Sequence, residues 1–380
     1  MTALPAEVSA ARDAALEATD ELHHLLLGPL GLILSSPGDH YLMLSLQYIW
    51  RYKIARHVPT NGEETKFEDI ALATGLDQQD VTRFLRVAMG RHVFAEPRKG
   101  FVRHTASSRL LIDNPLMESY FVNVAVEFLP SLARTVDATA KWPGSQEPNE
   151  SGHALANNSN ENPFEIIKKE PARQQRFTDA QSFSHMHESF SMDHLLRGYD
   201  FSHASSVVDI GGCDGKVAFA LAKKYPGINK IVVQDQPHVI SGIDIPKELQ
   251  SRVEGMEHDF FTPQPVKDAD VYLMRWVLHD WSDKYCVKIL RNLIPALKKN
   301  AKVVVNDICI PEPGQTSIAA DRAFRKMDIS MKAFGNARQR DAEMWAALFT
   351  EADEGFRFVG ITLPEGARMA IIQAEWLGKP

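Results

Sequence analysis

Val207-Val-Asp-Ile-Gly-Gly-Cys-Asp-Gly215 is an apolar run that enters a glycine-rich turn, and Lys216 to Tyr225 continues it as an apolar helical pattern. Strand, glycine turn and helix in that order let the backbone approach a ligand closely at a helix N-terminus. Twenty residues after Gly215, Asp235 closes the next apolar run, Lys230-Ile-Val-Val-Gln-Asp235. An acid at that place bonds a ribose hydroxyl in nucleotide-binding sheets. The dinucleotide fingerprint G-x-G-x-x-G fails from either start, because its third place falls on Cys213 or on Asp214. A dinucleotide also needs room for its pyrophosphate, whereas a nucleoside with a short charged tail does not. The competing reading is a plain strand-turn-helix with no ligand, and the spacing to Asp235 weighs against it.

Working outward, short apolar runs alternate with helix-sized stretches from Ser205 onward: Ser206-Val-Val-Asp-Ile, Lys230 to Asp235, Ala269-Asp-Val-Tyr-Leu-Met and Ala301-Lys-Val-Val-Val-Asn-Asp. That alternation predicts an α/β, doubly wound, mostly parallel sheet covered on both faces. The first 135 residues read as mostly helical, with Leu22 to Leu34 strongly apolar. Two short helical patterns, Phe67 to Asp77 and Val81 to Met89, flank Gly75 as a helix-turn-helix outline. Val93-Phe-Ala-Glu and Phe101-Val-Arg-His around Arg98-Lys-Gly100 predict a small hairpin or wing. Residues 143–163, rich in Pro, Gly, Asn and Ser, predict an exposed loop with a mobile part. The expected division is 1–135 for the helical part, 136–200 for connecting helices and loop, and 201–380 for the sheet domain.

The 380 residues suffice for two cores, and the net charge of −7 argues against nucleic acid as partner, since phosphate binding needs clustered Lys and Arg. No dense basic stripe accompanies the second short helix. No apolar run approaches the roughly 20 residues that cross a bilayer. Met1 to Leu30 lacks the basic-then-apolar order of a signal peptide. Cys213, Cys286 and Cys309 form no CxxC pair, so neither a disulfide framework nor a metal site is expected. A reducing, cytoplasmic setting follows as the expectation.

Leu273-Met-Arg-Trp-Val-Leu-His-Asp-Trp-Ser-Asp283 resembles the signature of the small-molecule O-methyltransferases dependent on S-adenosylmethionine (SAM), known from plant phenylpropanoid and fungal polyketide pathways. Further segments resemble that family in order: Val232 to Ile240, His258-Asp-Phe-Phe261, Val303 to Gly314 and Asn336-Ala-Arg-Gln-Arg-Asp-Ala-Glu-Met-Trp-Ala-Ala-Leu-Phe349. The resemblance spans nearly the whole chain. It implies a Rossmann-like SAM methyltransferase domain, an N-terminal winged-helix dimerisation domain, a homodimer and a small-molecule substrate. It places cofactor contacts at Gly211, Gly212 and Gly215 of the turn, and at Asp235, Asp259, Phe260, Arg275 and Trp281. Asp235 would accept from the ribose, Asp259 and Phe260 would bracket the adenine, and Trp281 offers an aromatic face to the adenine or the sulfonium.

The resemblance also implies His279 as general base for a phenolic or enolic hydroxyl, a task suited to a neutral imidazole. Asp307 matches the family's first acidic partner and is expected on the other ring nitrogen of His279. Gln339 stands where the family usually has Glu, and it carries no charge to stabilise an imidazolium. An apolar substrate pocket is expected from Phe183, Met186, Met192, Met327, Met331 and Phe334, each of which ordinary core packing explains equally well. The alternative function is a methyltransferase-fold pericyclase or dehydratase that keeps SAM without spending its methyl group, motivated by Gln339. A non-catalytic regulator using the winged helix is a third reading.

Overall fold

A computed structural model describes residues 6–36, 38–185 and 188–378. Two compact units divide the chain: Met1–Pro130 with Phe164–His185, and Ser131–Pro163 with Met186–Pro380.

The first unit is helical. Its opening helix, Ala6–Ser35, is kinked where Gly28 takes φ +64° ahead of Pro29, a residue that offers no N–H to the helical ladder. Leu22, Leu25, Leu26, Leu30, Ile33 and Leu34 of that helix are all exposed. The helices Phe67–Thr74 and Gln78–Met89 flank Gly75, whose φ of +70° ends the first, and Asp77 caps the second by accepting from Gln79 and Asp80 N–H. Their apolar faces, with Phe67, Ile70, Val81 and Leu85, join Ile49, Ile54, Phe94 and Val102 in one core. The expected hairpin closes at Ala95 and Arg103, which exchange two backbone bonds of 2.9 Å. Phe101–Val102 pairs antiparallel with Thr65–Lys66, and the Val93–Glu96 side contributes one bridge, Ala95 to Arg103. Helix Pro171–His185 belongs to this unit because Arg173 forks onto the buried Glu127 at 2.7 and 2.6 Å.

In the second unit seven strands form one sheet: β1 (Ser206–Ile210), β2 (Lys230–Asp235), β3 (Val253–Glu257), β4 (Val271–Arg275), β5 (Lys302–Asp307), β6 (Phe356–Thr362) and β7 (Ala370–Trp376). Their order is β3-β2-β1-β4-β5-β7-β6, with β1 to β5 parallel and β7 antiparallel to both neighbours. Central β1, β4 and β5 are buried almost throughout, as continuous Val/Ile/Leu runs require in a sheet covered on both faces. Chain order reverses between β1 and β4, and ligands of open α/β sheets bind at the carboxyl ends flanking that switch point. Helices α1 (Lys216–Lys224), α2 (Asp283–Leu293), α3 (Ile318–Gly335) and α4 (Ala342–Ala352) pack in the same unit.

Residues 143–163 correct an expectation. In place of an exposed loop, Ser151, Gly152, His153 and Ala154 are buried, and Gly152–Ala156 is a short helix. Asn336, which ends α3 with φ +54°, donates to the Glu147 and Glu150 carbonyls at 2.8 and 2.9 Å. Ser282 Oγ donates to Gln146 O at 2.8 Å. Composition marked the absence of regular structure, while these long-range bonds decided burial. No helix among the described residues is long and apolar enough to cross a membrane.

Candidate active site

The glycine turn leaves β1 at the switch point. Gly211 takes φ +69°, and a Cβ there would stand 2.8 Å from Val277 Cγ2. A Cβ on Gly212 would stand 2.8 Å from both Asp209 Oδ2 and Val233 Cγ1. Glycine is therefore demanded by backbone conformation at the first position and by space at the second. Gly215, φ +75°, is the N-cap of α1.

Two acids face this turn. Asp235, at the end of β2, accepts from Cys213 N–H at 3.0 Å and from Gln236 N–H at 2.7 Å, one bond per carboxylate oxygen. Burial pushes its carboxyl upward, and each oxygen keeps a lone pair for a further donor. Asp209, inside β1, is 1% exposed. Its Oδ2 has no hydrogen-bond partner among the described residues. Burial pushes its carboxyl up to about 7, against the pull of the Arg275 cation. A buried acceptor without a partner costs about 1–3 kcal/mol and calls for a donor. Carboxylates with spare lone pairs beside a cradle with no room for Cβ atoms suit a nucleoside with a cationic tail, so the turn fits SAM.

The neighbouring turn after β3 carries Asp259 and Phe260. His258 N–H donates to Asp235 O at 3.0 Å and joins the two strand ends. Asp259 Oδ1 accepts from Phe261 N–H at 2.9 Å, which sets the turn. Phe260 and Phe261 meet Trp281 edge-on, with centroids 6.0 and 4.6 Å apart. Arg275 ends β4 with its Nη1 on Asn306 Oδ1 and its Nη2 on Phe190 O. Those two donors are thus engaged within the protein, and burial lowers the guanidinium to about 10.

After β4, Trp276 adopts φ +55°, a strained value for a bulky residue that recurs at functional sites. The chain then makes a 3₁₀ turn, Leu278–Asp280, that carries His279. The His279 ring lies 4.7 Å from the Trp276 ring. Its Nε2 is 3.4 Å from Asp280 Oδ1, and its Nδ1 is 3.2 Å from Gln339 Nε2. Burial raises the Asp280 carboxyl to about 6.

The expected role of Asp307 needs correction. Its Oδ2 accepts from the backbone N–H of His279 at 3.1 Å and its Oδ1 from Ile308 N–H at 2.8 Å. It therefore braces the turn, and Gln339 supplies the contact to ring Nδ1. Asp307 ends β5 with both carboxylate oxygens on backbone N–H groups, while Gln339 reaches the ring from the segment between α3 and α4.

The structure brings Gly211, Gly212, Gly215, Asp235, Asp259, Phe260, Arg275, Trp281, His279, Asp307 and Gln339 to the carboxyl-end loops of one sheet. The proposed pocket residues scatter. Met327 packs in a cluster with Phe190, Ile308 and Trp276, of which Trp276 lies beside the His279 ring. Met331 and Phe334 are buried on α3, the latter against His153 with centroids 5.1 Å apart. Met192 packs on the sheet core with Leu195. Phe183 belongs to the first unit, tilted on Tyr120 at 5.2 Å. Met186 lies outside the described residues. Asp209, Trp276, Asp280 and Arg340 were not singled out from sequence, although each sits inside a quoted segment.

Comparison with known proteins adds the following. The O-methyltransferase domain family matches residues 149–357. The O-methyltransferase kk1A of Curvularia clavata is 37% identical over 98% of this chain and 88% of its own length. An O-methyltransferase of the grayanic acid biosynthesis cluster in Cladonia grayi is 38% identical over 99% and 80%. A chlorophenol O-methyltransferase of Trichoderma longibrachiatum is 35% identical over 98% and 82%. Among solved structures, OxaC with sinefungin and meleagrin superposes with TM-score 0.81 at 24% identity, covering 99% of this chain and 94% of that one. A pericyclic reaction enzyme superposes with TM-score 0.76 at 22% identity, covering 97% and 94%.

Proposed function

The chain belongs to the O-methyltransferase family and uses SAM as cofactor; on that premise we propose that it methylates a phenolic or enolic hydroxyl of a polyketide-type metabolite, with His279 as general base. The observation that carries this reading is the His279 ring itself. It sits on a braced turn past β4, between Gln339 on Nδ1 and Asp280 beyond Nε2.

Bound SAM supplies a methyl group on a cationic sulfonium, open to in-line attack by oxygen. The residues proposed to hold it are Asp235 for the ribose diol, Asp209 for the amino-acid end, and Asp259 with Phe260 for the adenine. Arg275, with two donors engaged within the protein, acts by bracing the end of β4. His279 Nε2 would take the proton of an acceptor hydroxyl, while the bound cofactor would supply the methyl group and leave as S-adenosylhomocysteine. Alignment of oxygen with the methyl group contributes on the order of 7–11 kcal/mol in well-oriented systems.

Proton uptake at Nε2 requires the resting proton on Nδ1, with the Gln339 amide presenting oxygen to it. Amide orientation follows from the network it must satisfy. In the orientation observed, the amide nitrogen faces Nδ1 and Oε1 has no partner among the described residues. Turning the amide end for end gives that oxygen its donor and leaves the Nε2 lone pair, 3.4 Å from Asp280 Oδ1, to accept a proton. Trp276, beside the ring, and Met327, in the same apolar cluster as Trp276, are proposed to line the acceptor site. A phenolic acceptor accords with the chlorophenol named for the Trichoderma relative.

A pericyclic or dehydrating activity is motivated by Gln339 and by a fold shared at 22% identity, and the intact His279-Asp-Trp-Ser-Asp283 run weighs against it. For the assembly we propose a homodimer that buries the exposed leucines of helix Ala6–Ser35, and for location a cytoplasmic one.

The test incubates the protein with SAM labelled in its methyl group, a panel of chlorophenols and an extract of the source organism, beside a His279→Ala variant. Label entering a small molecule with the native protein alone is expected. Equal labelling by the variant would remove His279 from the role of base. SAM binding without any labelling would turn the reading toward the pericyclic alternative.

A further inference from the structure

Arg340 has no exposed surface, and its guanidinium is spent on the turn that carries His279. Nε donates to Asp283 Oδ1 at 2.8 Å, Nη1 to Leu278 O at 3.0 Å, and Nη2 to Trp281 O at 2.9 Å and to Cys286 Sγ at 3.2 Å. Leu278 and Trp281 bracket His279 and Asp280, so one rigid fork grips the turn at both ends. The guanidinium also lies 5.2 Å over the Trp345 ring.

The segment bearing Arg340 is itself anchored. Ile310 N–H donates to Arg340 O at 2.8 Å, Gln339 N–H to Asp328 Oδ1 at 2.8 Å, and Arg338 Nη1 to Asp283 Oδ2 at 2.9 Å. Three consecutive side chains thus converge on one place: Arg338 and Arg340 on Asp283 and the turn, and Gln339 between them on the ring.

We propose that Arg340 is a positioning residue for methyl transfer, holding the Leu278–Trp281 turn so that the His279 ring keeps the one orientation in which Gln339 fixes its tautomer. The proposal rests on His279 acting as base. Taking a guanidinium out of water costs several kcal/mol, and apolar packing of the same volume is often at least as stabilising. The geometry of the bonds is what distinguishes this site from simple core filling. Arginine presents five donors in a fixed plane, whereas lysine is a point charge that can meet only part of the set. Loss of the fork frees the turn, and a misplacement of about 1 Å can cost about 10²-fold in rate.

The test follows the imidazole nitrogens of His279 by ¹⁵N NMR in histidine-labelled full-length protein, with the signal assigned by its loss in His279→Ala. Native protein is expected to show the separate Nδ1 and Nε2 resonances of a single tautomer. In Arg340→Met and Arg340→Lys they are expected to move toward averaged values, while S-adenosylhomocysteine affinity, read by calorimetry, changes less than about threefold. On a chlorophenol probe kcat is expected to fall by about 10²-fold with KM for SAM unchanged. If Arg340→Met does not fold, Arg340→Lys decides. Unaltered His279 resonances in a folded variant overturn the proposal. Native-rate transfer by His279→Ala would instead overturn the base assignment, and the resonance result would still report whether Arg340 orders the turn.

Discussion

Gln339 meets the Nδ1 atom of His279 at 3.2 Å with an uncharged amide, so no carboxylate directly supports a proton on the ring from that side. In Gln339→Glu a negative charge at the same place stabilises the imidazolium. The acid limb of the kcat/KM profile is then expected to move to higher pH by about one unit or more; an unmoved limb would mean that the residue does not face the ring during turnover. At Asp209 burial holds the carboxyl near about 7. A folded-state value above the unfolded one means that the folded chain binds the proton more tightly. The stability from this group is fully present below about pH 4 and is lost as pH rises through about 7. Urea unfolding of SAM-free Asp209→Asn should therefore show its stability relative to native protein improving from pH 4 to pH 8. A difference constant with pH would mean that Asp209 ionises alike in both states.

At the scale of elements, the turn between β1 and α1 has no room for a side chain at Gly212, where a Cβ meets Asp209 and Val233 at 2.8 Å. Overpacking of this kind costs about 1–3 kcal/mol. Gly212→Ala is expected to weaken SAM binding by about tenfold or more, measured by calorimetry, since 1.4 kcal/mol is a factor of about ten. The end of α3 makes a second element-level contact. Asn336 closes the helix in the left-handed region and pins residues 147–150 through its amide. Asn336→Ala removes two bonds to buried or half-buried carbonyls, so a loss of about 1–3 kcal/mol is expected. Hydrogen exchange confined to residues 147–152 should speed up; unchanged exchange there would show that the segment is held by its other contacts alone.

For the molecule as a whole, the exposed row of Leu22, Leu25, Leu26, Leu30, Ile33 and Leu34 is a larger apolar surface than a lone helix tolerates in water. Leu26→Glu with Leu30→Glu is expected to halve the mass seen in sedimentation velocity if the helix pairs two copies. An identical mass for both proteins would place any dimer contact elsewhere.

The class of fold was legible in local sequence, and the cofactor through the family resemblance carried by Leu273 to Asp283. Apolar runs of strand length alternating with helical patterns, a glycine turn after Ile210 and an acid at Asp235 are short-range signals, because backbone conformation and steric room act within a few residues. The assignment of His279 rests on the resemblance of one unbroken segment, Leu273 to Asp283. What the ring touches was legible only in part: the resemblance implied Gln339 beside His279, whereas the places of Asp307 and Arg340, which reach the turn from distant parts of the chain, were not. Only the packed positions decided that Asp307 braces the backbone and that Arg340 grips both ends of the turn, while Gln339 meets the ring as the resemblance implied. The same holds for residues 143–163, whose composition reads as loop but whose carbonyls are claimed by Asn336 nearly two hundred residues away. Such contacts depend on which surfaces the sheet order brings together, and no periodicity within a segment records that.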